Sequence, residues 1–437
     1  MKIKVCKFGG TSCADSKVIE KVADIIKSQS ERRYVVVSAP GKRYSADEKI
    51  TDILYSLAAE AAEEGECANF YKITERYTEI INGLKIKEDI SPVLDEIKAT
   101  IEKTADKDYA ASRGEFLNAM IFAKYLGFEF VDAAEIIKFN ENGTLNEEFT
   151  YRLCKERLDK TPYAVIPGFY GSLPDGAIKT FSRGGSDITG AIIARAVNAE
   201  VYENWTDVNG FMTADPRIVK NPTVIDELSY RELRELSYMG ATVLHPESIF
   251  PVRVARIPIN VKNTFEPDKR GTMIVPFEKR TEMNKIITGV AGRKGFTIIT
   301  IEKSMMNGEL GFASKILSVL AKYNVSFEHM PTGIDTLSLV IDNNELKDNL
   351  VNIEKEISAA VNPDHMEVTH DIALIATVGH GMARKVGTAS KIFGTLYEAG
   401  VNICMIDQGS SEMNIIVGVE EKDYEKSIKA IYNGLLA

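Results

Sequence analysis

Thr180-Phe-Ser-Arg-Gly-Gly-Ser-Asp187-Ile-Thr-Gly190 reads as the end of a strand, a glycine turn and the start of a helix. Ile188, Ile192, Ile193 and Ala196 then recur at helical spacing. Gly184 and Gly185 let the backbone approach something bulky. The free N–H groups of a first helical turn favour an anion. Arg183 adds a planar fork suited to a carboxylate or phosphate. Asp187 is poor company for an anion, so the pattern suits a zwitterion with a carboxylate at one end and an ammonium at the other. The plain alternative is a helix capped by Ser186 or Asp187.

A second glycine turn opens the chain. Met1-Lys-Ile-Lys-Val-Cys-Lys7-Phe alternates as a strand and breaks at Gly9-Gly10-Thr11-Ser12. Val18, Val22, Ile25 and Ile26 mark one face of the helix that follows. A parallel strand would deliver the Lys7 ammonium to the carboxyl edge of the sheet, where open α/β sheets bind ligands. Neither G-x-x-x-x-G-K-[ST] nor G-x-G-x-x-G occurs, so a phosphate site here is neither a P-loop nor a dinucleotide fingerprint.

Further strands are expected at Tyr34–Ala39, Phe128–Asp132, Tyr163–Pro167 and Glu200–Trp205. A long Ala-, Glu- and Lys-rich helical stretch covers roughly 50–105, punctuated by Gly83 and Pro92, and its charges read as a solvated face. This alternation predicts an α/β fold with a mostly parallel sheet between helices. A chain of 437 residues exceeds one ordinary core. A net charge of −10 argues against a nucleic-acid surface. Five scattered cysteines without C-x-x-C disfavour zinc and disulfides. With no signal peptide and no apolar run long enough for a bilayer, a cytoplasmic protein is expected.

The last third repeats with an offset of about 76 positions. Gly311-Phe-Ala-Ser-Lys-Ile316 aligns with Gly387-Thr-Ala-Ser-Lys-Ile392, Met306 with Met382, Leu320 with Leu396 and Val325 with Val401. Each copy reads as a ferredoxin-like βαββαβ unit. Asn284–Ala291 reads as a lone strand before the first copy.

Taken in order, these pieces resemble an aspartokinase of the amino-acid kinase superfamily over nearly the whole chain. The resemblance rests on Lys7-Phe-Gly-Gly-Thr-Ser12, Val36-Val-Ser-Ala39, Ser112-Arg-Gly-Glu115, Arg183-Gly-Gly-Ser-Asp187 and Trp205-Thr-Asp-Val208. Thr213-Ala-Asp-Pro-Arg217, Gly240-Ala-Thr-Val-Leu-His-Pro246 and Gly271-Thr272 continue it. It implies a kinase domain over 1–283 and two ACT domains, one over 294–370 and one built from 284–293 and 371–437. A tandem pair without insertion stays open. The implied activity is transfer of the γ-phosphoryl of MgATP to the side-chain carboxylate of L-aspartate. Such a carboxylate is already ionised at neutral pH, so the transfer needs positioning and charge cancellation rather than a general base.

The resemblance assigns residues to roles. Lys7 and Asp187 are catalytic; Ser38, Thr51, Glu115, Arg183 and Ser186 meet aspartate, with Arg183 on its carboxylate and Glu115 on its ammonium. Gly9 and Gly10 would offer backbone N–H groups to the phosphates, and Thr11 and Ser12 hydroxyls. Thr206, Asp207, Met212, Arg217, Thr242 and Val243 complete the ATP contacts. Met212 stands where the family often has Tyr and Thr242 where it often has Lys. Ser112-x-x-Glu115 also fits a capping box, and Arg113 a surface arginine. His245 reads as structural, and no metal ligand set stands out, so Mg2+ would ride on the phosphates.

The ACT pair implies feedback inhibition by an amino acid, most readily lysine, with threonine the rival. Met306, Phe312, Ala313, Ser326 and Glu328 are the implied effector contacts, Glu328 meeting the lysine ammonium. Cys404 stands in the corresponding place of the second copy, so one effector site is expected. A homodimer or dimer of dimers through the ACT domains belongs to the same expectation. The alternatives are a glutamate or acetylglutamate kinase and a non-catalytic ACT sensor. Length and the missing dinucleotide fingerprint argue for a kinase without a dehydrogenase partner domain.

Overall fold

The computed structural model describes residues 2–182, 184–241, 243–245, 247–281 and 285–437. Packing divides the chain into two units. The first gathers Met1–Phe211, Val224–Tyr230 and Val243–Thr281; the second gathers Met212–Thr223, Arg231–Thr242 and Glu282–Ala437.

Among the described residues, ten strands lie in the first unit: β1 Lys4–Phe8, β2 Arg32–Val37, β3 Glu129–Phe130, β4 Ala164–Pro167, β5 Tyr170–Ser172, β6 Ile178–Thr180, β7 Val201–Thr206, β8 Glu227–Ser229, β9 Ile259–Asn263 and β10 Thr272–Val275. Eight form one sheet in the order β3-β4-β2-β1-β7-β9-β10-β8. Its pairs are parallel except β9 with β10. Strands β5 and β6 make a separate hairpin. The central strands β1, β2 and β7 are buried along most of their length, as near-continuous Val, Ile and aromatic runs require of a sheet covered on both faces. The helix Ser16–Lys27 turns Ile19, Val22, Ala23, Ile25 and Ile26 to the core, and the Asp15 carboxylate caps its start.

The helical stretch resolves into Ile50–Glu64, Tyr71–Gly83 and Ser91–Thr104, with Pro92 in the first turn of the third. Its charges are not all solvated. Arg76 and Asp47 are buried and paired at 2.8 Å. The next helix, Lys107–Leu126, starts five residues before Ser112, with Asp106 as its cap. The capping-box reading of Ser112 and Glu115 is therefore wrong: both lie inside the helix, and the Ser112 hydroxyl donates back to the Tyr109 carbonyl. Arg113 is not a surface arginine either. It is buried, with its guanidinium 4.6 Å from the Tyr109 ring, 4.5 Å from Phe116 and 5.2 Å from Tyr170.

The second unit carries β11 Gly289–Glu302, β12 Thr336–Asp342, β13 His365–Val378, β14 Met405–Asp407 and β15 Asn414–Glu420. They form an antiparallel sheet in the order β12-β11-β13-β15-β14. The expected lone strand is not separate. Gly289–Arg293 runs straight on into the first copy's strand, and Asn284 lies outside the described residues.

The duplication is visible in the pairing of β11 with β13. Phe296 faces Ile372, its own equivalent 76 positions on. Gly292↔Ile375 on one side then mirrors Ile299↔Val368 on the other, as a local two-fold relation demands. Backbones repeat as well: Gly295 and Asp371, Gly311 and Gly387, and Asn324 and Gly400 all have positive φ. The helices Phe312–Lys322 and Leu350–Val361 cover one half, with Ile299, Ile316, Leu320 and Ile353 in its core. Thr388–Glu398 and Tyr424–Leu435 cover the other, around Ile375, Ile392, Val417 and Ile431.

Two segments expected in the kinase part pack with this unit. Ala214 and Val219 join its apolar cluster, and Val290 N–H donates to the Thr213 carbonyl at 2.8 Å. In the helix Tyr230–Tyr238, buried Glu232 accepts from the Thr288 hydroxyl at 2.6 Å and from His380 N–H at 3.0 Å.

Candidate active site

Strands β1 and β7 lie side by side with Lys7 opposite Asn204. Parallel neighbours in register point to the same face, so both side chains reach one place. That place is the first turn of the helix Gly185–Ala196. The Lys7 ammonium lies 2.6 Å from Asp187 Oδ1, and Asn204 Nδ2 donates to the same oxygen at 2.7 Å. The Tyr202 hydroxyl donates to the Asp187 carbonyl at 3.1 Å. Lys7 is only 8% exposed, which rules out a solvated strand-end lysine. Asp187 is no cap. The capping position is Gly184, whose φ of 56° favours glycine, and no side chain bonds there. The Asp187 carboxylate is instead spent on holding an ammonium at the ligand edge of the sheet.

Asn204 escaped the sequence reading. The available signal was a polar residue inside the apolar run of β7, beside Trp205. Its neighbour Glu203 points to the other face, where it is fully engaged. Arg32 Nε reaches Glu203 Oε2 at 2.8 Å, the Trp205 indole donates to that oxygen at 2.9 Å, and Lys4 lies 3.7 Å from Oε1. Burial would push the Glu203 carboxyl up; Arg32, Trp205 and Lys4 outweigh it and hold the group below its ordinary range.

Glu115 comes to the same edge from the helix Lys107–Leu126. It is buried, and among the described residues its Oε2 has no hydrogen-bond partner. Burial pushes this carboxyl up to about 8, against the opposing pull of backbone N–H groups, Lys7 and Arg113. A buried carboxyl with an unfilled oxygen beside an ammonium is poised to ionise when a second cation arrives. Asn118, one turn further on, donates to the Ser38 carbonyl at 2.6 Å and fixes the end of β2. It too was missed.

The glycine loops are clamped from the helical stretch. Arg76 Nη2 donates to the Ala14 carbonyl at 2.9 Å and to the Gly41 carbonyl at 2.5 Å. Gly41 N–H in turn donates to the Gly10 carbonyl at 2.8 Å. A Cβ on Gly41 would sit 2.6 Å from the Gly10 carbonyl carbon, so only glycine permits this approach.

Two expected phosphate contacts are corrected. Gly9 N–H is not free, because it donates to the Trp205 carbonyl at 3.1 Å. The Ser12 hydroxyl is fully buried and bonded to Thr264 Oγ1 at 2.8 Å, so it ties two loops together. Gly10 is half-buried and Thr11 exposed on the same turn. Ser186 is buried on the first turn beside Asp187, and Thr51 is half-buried on the first turn of Ile50–Glu64. Thr206 ends β7, with Asp207 exposed after it and Val243 half-buried. Met212 and Arg217 belong to the second unit; the Arg217 guanidinium rests on Asp215 at 2.6 Å in a turn. Arg183 and Thr242 lie outside the described residues.

In the second unit, Met306 and Phe312 fill the apolar cluster of the first copy, with half-buried Ala313 packed against it. Ser326 is exposed. Glu328 is not a solvated strand end. It accepts from the Tyr238 hydroxyl and lies 4.0 Å from the Arg293 guanidinium, which also pairs with Asp342. Cys404 is exposed.

Among the described residues, no group of three His, Cys, Asp or Glu gathers as a metal site, and no helix is long and apolar enough to cross a membrane.

The amino acid kinase family profile matches residues 2–263, and an ACT domain profile matches 375–435. Aspartokinase 3 of Bacillus subtilis is 38% identical over 100% of this chain and 99% of its own length. The crystal structure of Clostridium acetobutylicum aspartate kinase superposes with a TM-score of 0.95 at 54% identity, over 99% of this chain and 100% of that one. Two structures of E. coli aspartokinase III, one with aspartate and ADP and one with lysine and aspartate, give TM-scores of 0.75 and 0.76 at 28% identity, each over 100% of both chains.

Proposed function

Since this chain belongs to the aspartokinases of the amino acid kinase family, we propose that the edge formed by Lys7, Asp187, Asn204 and Glu115 is where it transfers the γ-phosphoryl of ATP to the side-chain carboxylate of L-aspartate, giving 4-phospho-L-aspartate. The observation that carries the reading is the Lys7–Asp187–Asn204 cluster at 2.6 and 2.7 Å. The acceptor carboxylate is its own nucleophile, so this edge supplies alignment and positive charge. Asp187 and Asn204 hold the Lys7 ammonium at the strand end, where it meets charge developing on the transferring phosphoryl group. Glu115, ionised by the arrival of the substrate's ammonium, anchors that end of the zwitterion. Ser38, Thr51, Ser186 and Arg183 complete the aspartate contacts. Gly10, Thr11, Thr206, Asp207 and Val243 of the first unit complete those to ATP. Magnesium riding on the phosphates would share the charge cancellation. Hydroxylamine trapping of the acyl phosphate is expected to be strong with aspartate and much weaker with glutamate. Equal trapping with glutamate would move the chain to the glutamate-kinase reading.

The strand pairing supports two ACT domains beside a kinase domain proposed over 1–283, of which 212–223 and 231–242 pack with the second unit. Gly289–Arg293 takes the edge position beside β13 that a fourth strand of the second copy would fill, as 365–369 does for the first. This favours an inserted arrangement, 294–370 within 284–293 and 371–437. Lysine is the proposed effector, as the lysine complex of E. coli aspartokinase III suggests. Its ammonium would compete for Glu328 with Arg293 and Tyr238. Inhibition then follows from tighter binding of lysine to a less active state. Glu328→Ala should raise the lysine concentration for half-inhibition by about tenfold, the effect of one charged hydrogen bond. Turnover without lysine should change less than about twofold. Unchanged inhibition of the variant by lysine removes Glu328 as the contact; a parent protein that ignores lysine, or responds to threonine alone, removes lysine as the effector. A homodimer through the ACT domains and a cytoplasmic setting, suited to five free cysteines, complete the proposal.

A further inference from the structure

On the face of the first unit's sheet away from Lys7, a cavity of about 490 Å³ opens beside Trp205. Trp205 stacks on Phe8 with ring centroids 5.8 Å apart, and Lys262 lies opposite Trp205 in the pairing of β7 with β9. The Lys262 ammonium sits 5.0 Å from the Trp205 ring centroid. Lys21 enters from the helix Ser16–Lys27, its ammonium 5.9 Å from the Phe265 ring. Among the described residues neither ammonium has a hydrogen bond or an ion pair, and both line the cavity. Arg32 lines it too, already committed to Glu203, Ser28 and the Ile25 carbonyl. Half-burial strips water from the Lys262 ammonium and no carboxylate pairs with it among the described residues, which favours the neutral amine; the Trp205 face offsets only part of that cost.

We propose that Lys262 is a modification site, a reactive amine acylated by small acyl phosphates that enter this cavity. The free amine attacks the carbonyl carbon, a C–N bond forms, and the C–O bond to phosphorus breaks. Phosphate leaves, and the proton shed by nitrogen passes to it or to water. Lys21 and Arg32 supply the positive charge that receives the phosphate end. The amine's basicity is set by everything facing it. Burial holds Lys262 below the ordinary lysine value; Glu203 and Asp268 oppose this, while Arg32 and Lys4 add to it. Lys21 and Asp24 from the neighbouring helix also line the cavity. The charge lost on acylation is the one over Trp205, the only tryptophan of the chain.

The test uses the full-length protein, acetyl phosphate as donor, and site-resolved mass spectrometry between pH 7 and 9. Lys262 is expected to acetylate about tenfold faster than the exposed Lys103 and Lys160, with the advantage largest at the low end of that range. Trp205 emission should change in step with occupancy, and stay constant in Lys262→Met under the same treatment. Lys21→Gln should slow the reaction with acetyl phosphate severalfold and leave that with uncharged phenyl acetate unaltered. Acetylation of Lys262 no faster than of Lys103 and Lys160 overturns the proposal. So does an unchanged acetyl phosphate rate in Lys21→Gln.

Discussion

Lys7→Ala is expected to lower turnover roughly 100-fold to 1000-fold, and Asp187→Ala by a similar factor. An electrostatic contact made to developing charge in a water-poor site contributes about 3–4 kcal/mol to the transition state. Lys7 supplies such a contact, and Asp187 fixes where its ammonium sits, 2.6 Å away. Because the two act as one unit, the double variant should lose little more than the worse single one. Packing is barely touched, since both groups lie at the ligand edge and Asn204 still bonds Asp187 when Lys7 is gone. A stability change of about 1 kcal/mol, or roughly 2–4 °C in melting temperature, is expected. Lys7→Arg should not restore turnover, because a planar fork cannot replace a point charge at this oxygen. Near-normal turnover in either alanine variant, with unchanged melting, would mean that the phosphoryl group is met elsewhere.

Glu115→Gln is expected to stabilise the unliganded protein and cripple aspartate binding. The Glu115 carboxyl is pushed up to about 8 in the folded chain by burial. Its unfolded value is near the ordinary 4.3. Between these two values the folded state binds more protons than the unfolded one, so stability falls as pH rises from about 4.3 towards 8. At pH 7 the native carboxyl is still mostly protonated and costs on the order of 3–4 kcal/mol relative to a group of ordinary pKa. Glutamine is neutral throughout and removes this pH-dependent cost. Its melting temperature should exceed the parent's at pH 7–8 and converge with it near pH 4. Aspartate KM should rise tenfold or more, at about 1.4 kcal/mol per decade, while in the parent it should fall as pH rises towards 8. A Glu115→Gln variant that melts lower at pH 8 and keeps its KM would show that Glu115 is a structural acid.

The sequence made the charged residues at the strand ends legible. Lys7 before a glycine pair and Asp187 after another stood out because strands that end in glycine turns deliver side chains to one edge. Glu115 was found through its motif, while its local reading as a cap was wrong by five residues of helix. Asn204 and Asn118 were not found. Each is one polar residue in an apolar run, and nothing local says which neighbour it faces. Arg76 reads as solvated in a helix rich in charge, yet it clamps the glycine loops from more than thirty residues away.

Periodic and local features are written in the residue order: the alternation of strands and helices, the glycine breaks, and a duplication 76 positions apart that reappears as Phe296 facing Ile372. These follow from side-chain spacing, which fixes a residue's face within its own element. Pairing between elements comes from the folded chain alone. Register placed Asn204 beside Lys7 and both under Asp187, 180 residues along the chain. The same register gave Gly9 N–H and the Ser12 hydroxyl to the fold rather than to a phosphate. It also fused a lone strand into the continuous β11. A hydrogen bond is satisfied by whichever acceptor the packed neighbour presents, and that neighbour is chosen by the burial of the whole sheet, not by the residues on either side.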